Sequence, residues 1–325
     1  EIQAGAVRDM RAQLSVVLIY CGLKELKRVA DVQAHSFNAF LPWRRDKSLQ
    51  ITTGSAGVMR RSSLNKAVRE LRSWWKWVKA QRLSEVELEI KEVSTRKEEP
   101  RQKNVAFTED HWNKLAAELK RWAFTEAKGP DWKVKRMRPV HWYGRRNFYY
   151  LMWTLVLSGM RPQEATQLIT WNDLKFRNEG ATAAAKALDS ALVIRIRNDQ
   201  GKGSRSVATN AGVLLKGFRK YANDWRKLNG YPQIKGSDLV FAYPPTNEAY
   251  SYSHYGNMFR ALVKHVRLSG KGYTIRSCRA TYITDQLADG KAPYIVARNC
   301  GHDLKVMMRD YEQLNEEQLI KELLG

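Results

Sequence analysis

A polar stretch near the first third of the chain, Val93–Asn104 (VSTRKEEPRQKN), constrains the fold more than any other feature. It carries Pro100 and no periodic apolar face, so it cannot join a core; a segment of this kind links domains. A chain of 325 residues accommodates two domains at about 100–200 residues each. The expected division is therefore a helical region over 1–93, a linker over 94–104 and a second domain over 105–325. With 43% hydrophobic residues, both parts can bury a core, which excludes wholesale disorder.

In the first region the clearest helix starts at Ser62-Ser63, residues suited to capping, and runs to about Leu83. Leu64, Val68, Leu71, Trp75 and Val78 recur at helical spacing and form one apolar face. Lys66, Arg69, Arg72, Lys76, Lys79 and Arg82 recur on another side, with Glu70 as the sole acid among them. An ordinary amphipathic helix also has a solvated charged face, but such faces usually mix signs. A row of cations suits phosphates along a groove. The whole chain follows the same bias, with 56 Lys+Arg against 33 Asp+Glu and a net charge of +23. That excess is self-repulsive unless a polyanion neutralises it. The basic residues are spread along the chain rather than gathered in an amphipathic anchor, which favours nucleic acid over a membrane surface.

Other classes are excluded more simply. The most apolar run, Phe148 to Leu157, is about half the ~20 residues needed to span a bilayer and predicts a buried core helix. No secretory signal is visible. Cys21, Cys278 and Cys300 are odd in number and widely spaced, which fits reduced thiols in a cytoplasmic protein. No CxxC pair or Cys/His cluster of metal-site spacing is present in the sequence, so no metal is expected.

The second domain is expected to be mostly helical. A helix starts after Phe107, capped by Thr108, and runs through Leu119. Leu192, Ile194 and Ile196 alternate with Val193, Arg195 and Arg197 as a strand does. A turn over Asn198–Gly203 follows, and Arg205–Thr209 can return as the partner strand. Helical patterns resume over Ala211–Leu228 and dominate the remainder.

Four separated clusters carry chemistry. The first is Ser158-Gly159-Met160-Arg161-Pro162-Gln163-Glu164. There an apolar helix ends at glycine, and Pro162 starts the next helix. An arginine at such a junction can grip an anion with its rigid fork of donors. The second is Lys202 in the Gly-Lys-Gly turn. Tyr273-Thr274-Ile275-Arg276 is the third, leading into a helix with Ala280, Ile283 and Leu287 on its buried side. The fourth is Cys300-Gly301-His302, with Tyr311 nine positions after the histidine. Taken singly, each has an ordinary reading: a surface arginine, a solvated turn lysine, a helix-start arginine, a core tyrosine. Together they supply a complete set. Breaking a phosphodiester without a metal requires a nucleophile, cations on the non-bridging oxygens, a proton acceptor and a proton donor. A phenol, with an ordinary pKa near ~10, becomes a nucleophile where cations and an acceptor favour its phenolate.

In these residues the chain resembles the tyrosine recombinases and integrases. Members carry a Thr/Ser-Gly-Leu-Arg-x-x-Glu box, a hairpin lysine, a His-x-x-Arg box, and a Gly-His box followed shortly by the nucleophilic tyrosine. The four clusters run in that order through residues 105–315, and the helical region before them resembles the family's DNA-clamping domain. The resemblance implies a mainly α fold: a helical DNA-binding domain, then a mostly helical catalytic domain with a small antiparallel sheet. It implies site-specific recombination of double-stranded DNA through a 3′-phosphotyrosine, with no cofactor and no membrane partner. It further implies a homodimer or homotetramer on DNA, accessory DNA-bending proteins as partners, and a bacterial or phage-encoded, nucleoid-associated cytoplasmic protein. By the same resemblance Tyr311 is the nucleophile and Arg161 and Arg276 hold the non-bridging oxygens. His302 assists Tyr311, Lys202 protonates the leaving 5′-oxygen, and Glu164 orients an arginine.

Two departures stand out. Tyr273 occupies the position of the box histidine, and a phenol cannot act as an imidazolium. An insert over Asn178–Ser190 lengthens the path to the hairpin, so Lys186 competes with Lys202 for the role of general acid. Three rival readings follow. A hairpin telomere resolvase would use the same chemistry. A non-catalytic DNA-binding protein would explain the charge and not the ordered boxes. A metal-dependent nuclease would need clustered carboxylates that the sequence does not offer. The tail favours strand exchange: Asn315 and Gln318 fit a capping box, and Leu319, Ile320, Leu323 and Leu324 share an apolar face. Such a helix packs on its own domain or on a neighbouring subunit.

Overall fold

The structure, a computed structural model, describes residues 4–44, 61–90, 105–124, 139–176, 191–197, 204–305 and 307. The linker 94–104, Lys186, Lys202, Tyr311 and the segment 316–324 lie outside the described residues. The chain divides into two compact units, Glu1–Arg101 and Gln102–Gly325. Among the described residues, no helix is long and apolar enough to cross a membrane.

The first unit is built on helix α1 (Ala4–Leu23) and helix α2 (Arg61–Ala80), which pack together. All five apolar positions expected on α2, from Leu64 to Val78, are buried. Val68, Leu71, Trp75 and Val78 meet Val16, Val17 and Tyr20 of α1 and an aromatic group of Phe37 and Phe40. The helix stops three residues short of Leu83 because Arg82 takes a left-handed conformation, φ 55°. The chain then returns as an extended segment along α2, where the Trp75 indole N–H donates to the Val86 carbonyl at 2.7 Å. This return modifies the expected row of cations. Arg69, Arg72 and Lys76 are exposed, and Lys66 and Lys79 are half-buried. Lys79, however, pairs with Glu87 of the returning segment, and Arg72 donates to the Ile90 carbonyl. Glu70 is thus not the only acid within reach of the face.

The second unit is organised around helix α4 (Pro139–Ser158). Tyr143, Phe148, Leu151, Met152 and Leu155 are among its buried residues, as the apolar run Phe148–Leu157 predicts. Helices α3 (Glu109–Phe124), α6 (Gly212–Leu228) and α8 (Ser277–Ala288) pack against it. The Thr108 hydroxyl accepts from the His111 N–H at 3.3 Å and so caps α3. The short helix α5 (Pro162–Gln167) follows α4 directly, while α7 (Tyr252–His265) and α9 (Pro293–Cys300) complete the helical set described here.

A three-stranded antiparallel sheet lies on this core in the order β1 (Leu174–Phe176), β2 (Leu192–Ile196), β3 (Arg205–Thr209). Leu192 pairs with Thr209, Ile194 with Val207 and Ile196 with Arg205. The alternation read from β2 is real: Leu192, Ile194 and Ile196 are buried while Arg195 is exposed. Strand β1 was not anticipated, because three residues are too few to show a period of two. A two-residue hairpin, β4 (Ala242–Tyr243) with β5 (Glu248–Ala249), is a second small addition.

Candidate active site

The first and fourth clusters meet in space. Gly159 ends α4 with φ +64°, and a Cβ there would lie 2.8 Å from Cys300 Sγ. Gly301 ends α9, also with φ +64°, and a Cβ there would lie 2.8 Å from the Arg205 guanidinium carbon. Each glycine is therefore needed both for its left-handed backbone and because a neighbouring side chain, Tyr282 and Cys300 at Gly159 and Arg205 at Gly301, passes so close.

Arg161 stands at this meeting point. Its Nη1 donates to Glu164 Oε1 at 2.7 Å, and its Nη2 donates to the Gly301 carbonyl at 2.7 Å. The side chain is 34% exposed while that of Glu164 is 4% exposed, so the guanidinium is fixed from behind and open in front. Glu164 also accepts two bonds from Arg205, at 2.9 and 2.6 Å, and one from the Arg161 backbone N–H at 2.9 Å. Burial alone would raise the Glu164 carboxyl. The hydrogen bonds and charge of Arg205, together with the Arg161 N–H and guanidinium, outweigh burial and hold it below the ordinary carboxylate range. Arg279 adds a third guanidinium near this carboxylate; it is buried and donates to the Gly159 carbonyl at 2.7 Å. Three guanidiniums around one carboxylate leave a positive excess, an environment suited to an anion.

Arg276 is exposed at the start of α8. Its turn is held by Thr274, whose hydroxyl accepts the Arg276 N–H at 3.2 Å and whose N–H donates to Ser277 Oγ at 3.0 Å. Among the described residues its guanidinium has no hydrogen-bond or ion-pair partner. His302 is half-buried directly after Gly301, with its backbone N–H donating to the Ala297 carbonyl at 2.9 Å. Tyr273 is half-buried, and its hydroxyl is bonded to His111 Nδ1 at 2.7 Å. Strand β3 begins at Arg205, three residues after Lys202 in sequence, and is anchored there to Glu164.

Arg205, Arg279, Asn299 and His111 were not singled out from the sequence. Arg205 had a legible signal: it shares the inward face of β3 with Val207 and Thr209 by the period of two. Asn299 ties α9 to its surroundings, donating to the Tyr282 hydroxyl at 2.8 Å and accepting from the Ala208 N–H at 2.8 Å. Tyr282 is an unsuitable nucleophile, since burial, with a smaller contribution from Cys300, pushes its phenol up to about 12. A groove of about 1060 Å³ runs beside Arg205 between β2, β3, α8 and α9. Arg205 lines it, whereas Arg161, Arg276 and His302 do not.

The Glu164 pairs carry stability as well as geometry. Arg205→Ala leaves the buried carboxylate with Arg161 as its one hydrogen-bonding arginine side chain among the described residues, and breaking a buried pair costs about 3 kcal/mol. At roughly 2–4 °C per kcal/mol for a domain of this size, the melting temperature should fall by about 6–12 °C at neutral pH. Because the folded pKa of Glu164 is depressed, its contribution is present above the ordinary value of about 4.3 and is lost as pH falls through the folded value. The deficit of Arg205→Ala should therefore shrink in acid. Thermal melts of the two proteins across pH check this, and an equal melting temperature at pH 7 contradicts it.

No protein-family model matches the chain, and no curated protein matches its sequence. Solved structures do match in fold. The XerH site-specific recombinase bound to difH substrate, in a pre-cleavage complex, aligns with TM-score 0.64 at 15% identity, over 94% of this chain and 76% of that one. The Tn1549 transposon integrase in complex with circular intermediate DNA aligns with TM-score 0.58 at 16% identity, over 99% of this chain and 94% of that one. A lambda integrase dimer bound to a COC′ core site gives TM-score 0.58 at 12% identity, over 97% and 91% of the two chains. The chain has the tyrosine recombinase fold, mainly helical with a small antiparallel sheet.

Proposed function

We propose that this chain is a site-specific recombinase that cuts and rejoins double-stranded DNA through Tyr311 without a metal. One observation supports the reading above the others. Arg161 of the first cluster is fastened at once to buried Glu164 and to the Gly301 carbonyl, 140 residues away and next to His302. A guanidinium preorganised in this way beside the histidine that precedes the tyrosine is what an in-line attack on phosphorus needs. The likeness of fold to structures described as bound to their DNA substrates points the same way.

In this reading Tyr311 attacks the scissile phosphorus and the bond to the 5′-oxygen breaks, leaving a 3′-phosphotyrosine. The phenol proton passes to His302. Lys202, with Lys186 as the competing assignment, protonates the departing 5′-oxygen. Arg161 and Arg276 stabilise the charge on the non-bridging oxygens, and Tyr273 donates a hydrogen bond to one of them. Attack by the 5′-hydroxyl of another strand then releases Tyr311 and reseals DNA, since the phosphotyrosyl bond conserves the energy. Lys66, Arg69, Arg72, Lys76 and Lys79 serve the DNA backbone from the first unit, with Lys79 the weakest of them because Glu87 already pairs it. Pairing of two sites requires at least a dimer on DNA.

The test is product analysis in EDTA. Two distinguishable duplexes carrying the target site are incubated together, and a palindromic site is incubated separately, before denaturing gels. Recombinant strands from the duplex pair are expected. Snap-back strands of double length from the palindrome alone would identify a hairpin telomere resolvase, and product that needs added magnesium would overturn the metal-free chemistry.

A further inference from the structure

The third cluster begins with Tyr273, where related enzymes place a histidine. The structure brings an imidazole to this phenol from elsewhere: His111 Nδ1 lies 2.7 Å from Tyr273 Oη, from a residue 162 positions away. The rings meet edge to face, with centroids 5.7 Å apart and planes at 76°. The surroundings hold this pair in place. Thr108 caps the turn of α3 that carries His111. Phe107, one residue earlier, donates its N–H to Thr281 Oγ1 of α8 at 2.8 Å and packs its ring 4.8 Å from that of Tyr273. The start of α3 is thereby locked to the turn that presents Arg276. Both His111 and Tyr273 remain half-buried rather than enclosed.

A phenol has one hydrogen to give and lone pairs to accept with, and a neutral imidazole has one donor and one acceptor nitrogen. If Nδ1 accepts, it consumes the phenol's hydrogen. If Nδ1 donates, that hydrogen is free to point elsewhere, and a chain of bonds in one sense is mutually strengthening. A phosphate oxygen, which only accepts, selects the second arrangement.

We propose that His111 is a positioning residue for the cleavage reaction: its Nδ1–H donates to Tyr273 Oη and so directs the Tyr273 hydroxyl onto a non-bridging oxygen of the scissile phosphate. This rests on the recombinase reading above and adds to it a residue outside the four clusters. The imidazole missing from the third cluster is supplied at one remove, from the first helix of the second unit.

The experiment compares single-turnover cleavage of a suicide DNA substrate by the parent, His111→Phe, His111→Ala, Tyr273→Phe and the double variant His111→Phe/Tyr273→Phe. His111→Phe keeps the ring volume against Phe107 and Tyr273, so it tests the hydrogen bond should His111→Ala fold poorly; DNA affinity and melting temperature are measured alongside. Loss of one hydrogen bond from the transition state predicts about a tenfold fall in rate for either His111 variant, at unchanged affinity. The double variant should cleave no more slowly than Tyr273→Phe alone, because His111 acts only through that hydroxyl. Moving the imidazole, as His111→Ala/Tyr273→His, should restore much of the rate, which a merely structural histidine would not allow. Parental rates in His111→Phe, or losses that multiply in the double variant, overturn the proposal. Tyr311→Phe run beside them separates the two claims: if it still captures DNA covalently the recombinase reading fails, whereas if it does not and His111→Phe is normal, only this inference fails.

Discussion

Tyr311→Phe is expected to abolish covalent capture of DNA while leaving DNA affinity essentially unchanged. Phenylalanine keeps the ring and removes only the oxygen that attacks phosphorus, so no slower route to a phosphotyrosine remains. Affinity survives because it is set by cations spread along a chain with net charge +23 and not by one hydroxyl. The described tyrosines of the third cluster and of α8 are poorly placed to substitute. Tyr282 has its phenol pushed up to about 12 by burial and accepts a bond from Asn299. Tyr273 is occupied by His111. The measurement is a denaturation-resistant protein–DNA band on a nicked substrate, and a band of parental intensity in the variant would remove Tyr311 from the mechanism.

The second large effect concerns the arginines, and the structure separates them. Removing one preorganised donor from a developing oxyanion costs about 10²–10³ in rate, or ~3–4 kcal/mol, so Arg161→Ala and Arg276→Ala should each lose at least that much cleavage. Arg276 is exposed, and among the described residues its guanidinium touches no partner. Its loss should leave stability within about 0.5 kcal/mol of the parent. Arg161 also helps to neutralise buried Glu164 and to tie α5 to α9, so Arg161→Ala should lose stability as well as rate. Arg161→Lys keeps the charge but not the fork that reaches Glu164 and Gly301 together, and should recover little. Cleavage rates read beside thermal melts and binding isotherms decide the matter. A fall in binding equal to the fall in cleavage would assign either arginine to DNA holding rather than to the reaction.

What the sequence made legible follows from how local the determinants were. The apolar face of α2 and the alternation of β2 are periodic over many residues, and both appear where the spacing placed them. The end of α2 was misjudged because Arg82 adopts a left-handed conformation that no residue type there announces. Strand β1 is too short to carry a pattern. At the candidate site, motif order singled out Arg161, Glu164 and Arg276, and the structure joins the first two by hydrogen bonds. Motif order gave no hint of Arg205, which reaches Glu164 across 41 residues, or of His111, whose partner is 162 residues away. Such contacts exist only once α3, β3, α8 and α9 have packed. The cation row on α2 was legible as a row, but its pairing with Glu87 depended on the chain doubling back along the helix.

Mapping the covalent adduct addresses the mechanism most directly. The parent protein is trapped on a suicide DNA substrate in EDTA, digested with protease and nuclease, and the peptide carrying the residual nucleotide is sequenced by mass spectrometry. The nucleotide should sit on Tyr311, attached through its 3′-phosphate. An adduct on Tyr273, Tyr282 or any other residue, or no adduct under conditions in which the DNA is cut, would contradict cleavage by Tyr311.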